Sequence, residues 1–156
     1  MAVEIRATSQ DDLNAVRELW AEYWRWLRLP GDFQGFEEER QTLPGLYAPP
    51  AGRLLVAAIN GRIVGTAALR PVNGTACEAK RVFVLAEQRG LGVGRALMLA
   101  LMDEGRAAGY STMYADTLPA MTAARALYRD LGFAETEPYS QQPTPGAVYL
   151  RRDLRD

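Results

Sequence analysis

Histidine is absent from this 156-residue chain, and cysteine occurs once, at Cys77. Without histidine the chain cannot form a Ser-His-Asp triad, a Cys-His pair or the usual zinc sites, so no metal is expected. A single cysteine also excludes an internal disulfide and a thiolate metal cluster. To act as a nucleophile, Cys77 would need Lys80 or Arg81 to lower its pKa, and a lone cysteine in a strand is more often a buried apolar residue. We therefore expect Cys77 in the core.

The chain also lacks a long apolar run and an excess of positive charge. No stretch approaches the roughly 20 apolar residues of a membrane span, and the acidic residues Glu4, Asp11 and Asp12 interrupt the region where a signal peptide would lie. The net charge of -1 gives no broad attraction to nucleic acid. We therefore expect a cytoplasmic protein without a membrane or nucleic-acid partner, and the length favours a single domain over residues 1–156.

A glycine-rich segment, Gln88 to Ala96, joins a strand-like run to a long helical pattern. Glycines let the backbone approach a ligand closely, and the first amides of the following helix have no partner within the helix. The positive end of the helix dipole and the side chains of Arg89 and Arg95 also favour an anion there. The segment therefore predicts a phosphate-binding loop.

The spacing of the loop argues against two common nucleotide sites. A P-loop would follow its last glycine with lysine and then serine or threonine, whereas Gly94 precedes Arg95 and Ala96. The dinucleotide fingerprint needs glycines at positions one, three and six, and here they occupy one, three and five. Asp116 lies at about the distance of a ribose ligand, yet the broken spacing leaves that interpretation weak.

The segment resembles the coenzyme A loop of the GCN5-related N-acetyltransferase (GNAT) family, whose pattern is Gln or Arg, two residues, Gly, any residue, and Gly or Ala. Arg89 to Gly94 follow this pattern, and Leu127 to Phe133 follow the family's Leu-Tyr, three residues, Gly-Phe signature. The motifs agree in order and separation, and the resemblance covers nearly the whole chain. It implies an α/β (mixed α+β) acyl-CoA N-acyltransferase fold, with a central sheet of about seven strands flanked by about four helices.

Periodicity and turn signals independently predict the order β-α-α-β-β-β-α-β-α-β-β. Asn60-Gly61 and Asn73-Gly74 are hairpin signals, so the three strands that they connect should be antiparallel. Strands are predicted over residues 2–7, 53–59, 63–69, 75–85, 111–116, 133–135 and 147–152. Helices are predicted over residues 9–28 and 33–43, from the glycine loop to about residue 108, and over residues 120–131.

The resemblance implies acetyl-CoA as co-substrate, with a backbone amide of the strand before the loop polarising the thioester carbonyl. The implied coenzyme-binding residues are Val82, Phe83, Val84, Arg89, Gly90, Leu91, Gly92, Val93, Gly94, Arg95, Ala96, Thr117 and Tyr128. Many family members carry an asparagine seven residues before the tyrosine. Here that position is Met121, so the contact is either missing or replaced, with Thr117 and Thr122 as candidates.

Two residues are candidates for proton transfer. In the family the tyrosine of the Leu-Tyr motif can protonate the departing thiolate, which assigns this role to Tyr128; the alternative is aromatic packing on an amphipathic helix. Glu78 is the candidate base, and strand alternation places it on one face with Lys80, Val82 and Val84. The alternative is that Glu78 only forms an ion pair with Lys80 or an arginine. In that case water or another carboxylate would act as the base.

Two further groups have structural and functional alternatives. Trp20, Tyr23, Trp24 and Leu27 fit one helical face and favour core packing, whereas Trp26 points elsewhere and could border the acceptor pocket. The run Glu37 to Glu39 is typical of a solvated helix face, and it could instead attract a cationic acceptor.

The sequence therefore predicts an acetyl-CoA-dependent N-acetyltransferase acting on a small amine or amino-acid-like acceptor by direct attack in a ternary complex. A non-catalytic coenzyme A sensor and a protein or peptide N-acetyltransferase remain alternatives. The acceptor, the acyl-chain preference and the oligomeric state stay open, with a homodimer as one option.

Overall fold

Residues 2–27, 36–119, 121–139 and 146–155 are described by the computed structural model. Within these ranges seven strands form one sheet: β1 (Val3–Ala7), β2 (Arg53–Ile59), β3 (Arg62–Pro71), β4 (Ala76–Val84), β5 (Thr112–Thr117), β6 (Ala134–Thr136) and β7 (Val148–Asp153). The α-helices are α1 (Leu13–Leu27), α2 (Phe36–Gln41), α3 (Val93–Ala107) and α4 (Thr122–Asp130). The predicted mixed sheet with flanking helices is confirmed.

The sheet order is β1-β2-β3-β4-β5-β7-β6, and β4 and β5 are its parallel pair. The predicted hairpins connect β2 to β3 and β3 to β4, and both pairs are antiparallel. Asn60 and Gly61 adopt φ values of 52° and 79°, the left-handed conformation that a type I′ turn requires. At the second turn the Asn73 side chain accepts hydrogen bonds from the backbone amides of Thr75 and Ala76.

Apolar side chains cover both faces of the sheet. The residues of β2 alternate, so that Leu55 and Ala57 face α3 while Leu54 and Val56 face α1 and α2. On the α3 face the buried helix residues include Leu97, Met98 and Leu101, and on the opposite face they include Val16, Trp20 and Phe36. Burial on both faces explains why the central strands are almost continuously apolar.

Several predicted boundaries differ from the observed ones by one or two residues, whereas α1 begins four residues after the predicted start, behind a 3-10 turn over Gln10–Asp12. The helix predicted over residues 120–131 is α4, and Gly132 follows it with a φ of 92°. The helix predicted over residues 33–43 is α2, and its predicted first residues, 33–35, lie outside the described residues. Arg28, the predicted end of the first helix, and Ala120 also lie outside them.

A β-bulge in β4 changes which side chains share a face. Thr66 pairs with Phe83 and Ala68 pairs with Lys80, so Arg81 and Val82 together oppose Ala67 alone. An extra residue reverses the alternation beyond it. The prediction that Glu78 shares a face with Val84 is therefore wrong, because beyond the bulge Phe83 occupies that face. Val84 lies on the α3 side, where a Cβ added to Gly65 would approach its Cγ2 to 3.4 Å.

Hydrogen bonds from the α1 side hold the bulge. Arg81 has a φ of 56°, a conformation unusual for a residue with a Cβ. Its carbonyl accepts a hydrogen bond from Thr66 Oγ1 at 2.9 Å, and the same hydroxyl accepts one from Trp20 Nε1 at 3.1 Å. The strained residue is thus fixed by a buried polar contact between α1, β3 and β4.

Candidate active site

The two parallel strands separate at their carboxyl ends and leave a cleft. The ladder between β4 and β5 runs from the Ala76–Thr112 pair to the Ala79–Ala115 pair, and both strands continue beyond it. Ligands of α/β proteins commonly bind at such carboxyl ends, where neighbouring strands diverge. Side chains from four elements and the adjoining loops line this cleft, among them Tyr23, Lys80, Val82, Asp116, Thr117 and Tyr128.

The predicted phosphate loop adjoins the strand that forms one wall of the cleft. Gly90 and Gly92 have φ values of 82° and 81°, and Gly92 is the N-cap of α3. A Cβ added to either glycine would meet no heavy atom within 4 Å, so this side of the backbone is open. The Val93 side chain is buried and anchors the start of the helix, whereas Arg95 is exposed. The backbone of the loop is therefore accessible to a ligand on this side.

Arg89 connects this loop to α1. Its guanidinium lies 4.7 Å from the centre of the Trp26 ring and 5.4 Å from that of Phe83, and its Nε donates a hydrogen bond to the Val84 carbonyl at 3.1 Å. Such stacking of a cation on an aromatic ring is attractive. Trp26, which could have bordered an acceptor pocket, therefore packs against the loop arginine and does not line the cleft described above.

Tyr128 and Tyr23 reach the cleft from opposite helices. The Tyr128 ring is buried and packs edge-on against Phe133, with 5.1 Å between the ring centres. Burial raises the pKa of Tyr128, so its hydroxyl remains protonated at neutral pH. Burial likewise raises the pKa of Tyr23 to about 12. Tyr23 thus differs from Trp20, which is absent from the cleft lining, whereas Trp24 lines the cleft and packs parallel to Phe36 at 4.2 Å.

Thr117 offers a polar group to the cleft. Its side chain is 3% exposed, and its Oγ1 has no hydrogen-bond partner within the described residues. Met121 also lines the cleft, whereas Thr122 is exposed at the first residue of α4. Of the two residues that could replace the family's asparagine, Thr117 is therefore the one located in the cleft.

A charged pair lies immediately beyond the last β4–β5 ladder pair. Lys80 Nζ is 3.8 Å from Asp116 Oδ1, and the two side chains are 6% and 18% exposed. Burial lowers the pKa of Lys80, and the nearby Asp116 carboxylate opposes this effect. Sequence reasoning assigned neither residue to this site. Their positions at the carboxyl ends of neighbouring parallel strands were the signal that could have revealed them.

Glu78 lies on β4 and is not among the residues that line the cleft with Tyr128. It is buried, and its Oε1 accepts a hydrogen bond from Arg70 Nε at 2.7 Å. In the sheet it stands between Arg70 of β3 and Tyr114 of β5. The arginine pairing considered as an alternative is thus present, and a catalytic role for Glu78 stays a prediction.

The three consecutive glutamates of α2 have different environments. Glu37 and Glu38 are exposed, as a solvated helix face would require, but Glu39 points inward. Its carboxylate accepts hydrogen bonds from Arg81 Nε at 2.8 Å and from the Tyr47 hydroxyl. Burial alone would raise the pKa of Glu39, but the charge and hydrogen bond of Arg81 outweigh it and lower the pKa. Glu39 thus holds Arg81, the residue at the bulge. The prediction of a solvated helix face is therefore wrong for Glu39.

Cys77 lies on the other face of the sheet. Its side chain is completely buried, as expected, and a Cβ added to Gly105 of α3 would be 3.7 Å from its sulfur. Burial raises the pKa of Cys77 to about 12, which opposes thiolate formation. No group of three or more histidine, cysteine, aspartate or glutamate residues suited to a metal ion occurs in the described part of the chain.

None of the helices within the described ranges is both long enough and apolar enough to cross a membrane.

The split sheet and glycine loop are those of an acyl-CoA N-acyltransferase fold. Residues 13–133 match the family model described as the acetyltransferase (GNAT) family. An uncharacterised N-acetyltransferase of Schizosaccharomyces pombe is 36% identical over 92% of this chain and 89% of its own. The chain therefore belongs to the GNAT family of acetyltransferases, which confirms the resemblance.

Solved structures agree on the fold. A GNAT-family acetyltransferase from Staphylococcus aureus Mu50 superposes with a TM-score of 0.84 at 20% identity, covering 98% of this chain and 99% of its own. The PaiA N-acetyltransferase of Thermoplasma acidophilum, solved in complex with coenzyme A, gives 0.81 at 16% identity with the same coverage.

Proposed function

We propose that this protein is an acetyl-CoA-dependent N-acetyltransferase that acts on the primary amine of a small molecule or amino-acid-like acceptor. The observation that carries the proposal is the cleft between β4 and β5, which combines a bulged strand and Tyr128 beside an exposed helix N-terminus. Thioester aminolysis needs bound thioester, a deprotonated amine, carbonyl polarisation and a proton for the thiolate. Neither a metal nor a covalent enzyme intermediate is required.

The residues present fit coenzyme A. The backbone from Arg89 to Ala96 would bind the pyrophosphate, because it offers helix-start amides and two arginines to an anion. The unpartnered Thr117 hydroxyl suits a polar group of the pantetheine arm, whose amides could satisfy it. Coenzyme A is bound in the Thermoplasma structure that shares this fold, which also supports the assignment.

The reaction would proceed by direct attack in a ternary complex. As the acceptor nitrogen bonds to the carbonyl carbon, the backbone amide of Val82, with Phe83 and Val84 framing the strand, would stabilise the negative charge on the oxygen. The carbon–sulfur bond then breaks, and Tyr128 would give its proton to the departing thiolate. Glu78 would draw the amine's surplus proton through water, since it does not line the cleft itself.

Thiol release on mixing the protein with acetyl-CoA and a panel of amines tests this function. A transferase should release coenzyme A thiol in proportion to an acetylated amine identified by mass spectrometry. A non-catalytic sensor would bind the coenzyme in calorimetry and release no thiol above the rate without acceptor. That outcome, repeated across small amines and peptides, would refute the proposal.

We expect Cys77→Ala to retain parental activity, because the sulfur is buried on the α3 face and burial opposes its ionisation. Initial-rate plots against both substrates should intersect, as sequential transfer requires. Parallel lines together with a peptide carrying acetylated Cys77 would show a covalent intermediate and overturn direct attack.

Replacing Glu78 with glutamine should lower kcat/KM by about tenfold to a hundredfold, the modest end of general-base catalysis. The loss should be greatest at low pH, where most of the amine is protonated and solvent must remove its proton. The measurement is a pH–rate profile of parent and variant.

Arg70→Gln is the matched control for this experiment, since it breaks the same ion pair and leaves the carboxylate. If Glu78 is the base, the Arg70 variant should keep more of the parental kcat/KM at neutral pH than the Glu78 variant does, because its carboxylate is still present. Equal losses of kcat/KM in the Glu78 and Arg70 variants would show that the ion pair maintains the structure and that Glu78 is not the base.

A further inference from the structure

The Lys80–Asp116 pair differs from the other buried ion pairs near the cleft. Glu39 accepts hydrogen bonds from Arg81, and Glu78 accepts one from Arg70, at 2.8 and 2.7 Å. Between Lys80 Nζ and Asp116 Oδ1 the distance is 3.8 Å, which is longer than a hydrogen bond. The pair is thus held by charge without a direct hydrogen bond between its members, and both side chains line the cleft.

The position of the pair connects it to the proposed reaction. Lys80 and Asp116 directly follow Ala79 and Ala115, the last residues joined by the ladder, so they stand where the strands diverge. Val82 and Tyr128, which the proposed function assigns to the carbonyl and the thiolate, line the same cleft. Tyr23 and Trp24 of α1 line it as well and complete a wall opposite α4. An acceptor amine that reaches the thioester would therefore come close to this pair.

From this arrangement we propose that Lys80 and Asp116 recognise the acceptor, and that the acceptor is an α-amino acid with a free carboxylate. This inference rests on the proposed function and specifies its substrate class. Asp116 would accept a hydrogen bond from the acceptor amine, and Lys80 would donate one to the adjacent carboxylate. Each group has the capacity, because an ammonium has three donors and a carboxylate accepts at two oxygens.

Charge balance favours this class over a simple amine. The Lys80–Asp116 pair is neutral as a unit, so a protonated monoamine would introduce a net positive charge into a largely buried site beside Lys80. Burying an uncompensated charge is costly. Before its amine loses a proton, an α-amino acid is neutral overall, and its ammonium and carboxylate can lie against Asp116 and Lys80. The free amine of a peptide N-terminus lacks the adjacent carboxylate that Lys80 would bind.

Three forms of each acceptor test the proposal with the parent protein: the α-amino acid, its primary amide, and the corresponding amine without the carboxylate. Thiol release gives kcat/KM for each form across a panel of common amino acids. For the best amino acid, we expect a preference over its amide of about tenfold to a hundredfold or more, since the site would leave polar groups unpaired with the amide.

Variants identify which residues read the carboxylate. Lys80→Met should reduce the acid-to-amide ratio to near one, mainly by raising KM for the acid, while Lys80→Arg should keep a preference for the acid. The double variant K80M/D116N removes both charges and so avoids leaving either one buried alone. It should also show no preference, and its coenzyme affinity by calorimetry should remain close to the parent's.

The outcomes separate this inference from the proposed function. Transfer to amines with an acid-to-amide ratio near one in the parent would overturn the inference and leave the acetyltransferase function intact. A parental ratio in the double variant would overturn it too, because neither charge would be needed. If the parent acetylates no acceptor of any form, both proposals fall.

Discussion

Gly92→Asp is expected to abolish coenzyme A binding, with no heat of binding detected in calorimetry at coenzyme concentrations that saturate the parent. Gly92 caps α3 with a φ of 81°, a conformation that glycine adopts without strain. Aspartate would add a side chain on the open face of the loop, and its negative charge would repel the pyrophosphate at the helix N-terminus. The added negative charge and the strain in the backbone should therefore both weaken coenzyme A binding.

Two controls separate these effects from a loss of folding. Gly92→Asn adds a similar side chain without the charge, so we expect it to weaken binding less than aspartate does. Gly109→Asp places the same carboxylate at another open glycine with a φ of 95°, beyond the opposite end of α3. That variant should bind coenzyme A as the parent does. A folded Gly92→Asp protein with parental affinity would show that the loop is not the coenzyme site.

Tyr128→Phe should lower kcat by about a hundredfold or more while coenzyme affinity changes little. The substitution keeps the ring that packs edge-on against Phe133 and removes only the hydroxyl. Burial raises the pKa of Tyr128, so the hydroxyl carries its proton at neutral pH. Measurement of kcat and KM, with the dissociation constant of coenzyme A, distinguishes the loss of a proton donor from the loss of a binding contact.

Tyr110→Phe is the matched control. Tyr110 is also a buried tyrosine, and its hydroxyl donates a hydrogen bond to the Ala51 carbonyl at 2.7 Å. It is separated from the cleft residues because it follows the C-terminus of α3. We expect this variant to lose some stability and to keep parental kcat. A Tyr128→Phe enzyme with parental kcat would remove the tyrosine from the proposed mechanism.

The shape of the cleft also depends on Arg81, a residue that is unchanged in both the Gly92→Asp and the Tyr128→Phe variants. Arg81 occupies the bulge with a positive φ, and Glu39 holds its guanidinium at 5.8 and 5.0 Å from the centres of the Trp24 and Phe36 rings. A strained backbone persists only where surrounding contacts fix it. The short helix α2 therefore helps to position the strand that would polarise the thioester, although its sequence suggested a solvated surface or a site that attracts a cationic acceptor.

Local signals in the sequence determined much of this protein. Asn60-Gly61 specified a hairpin because its two residues tolerate left-handed conformations, and the glycine segment before Val93 specified an open helix N-terminus. The two family motifs likewise predicted the fold, because each motif is a short segment whose geometry depends on its own residues. The burial of Cys77 followed from its chemistry.

Only the tertiary structure decided which side chains meet. The bulge at Arg81 reversed the alternation of β4, and pairing with β3 and support from Glu39 create it, so strand periodicity alone could not predict it. Lys80 and Asp116 are far apart in the sequence, and they come together because the parallel ladder ends immediately before them. Contacts of this kind depend on long-range register, which no local residue pattern encodes.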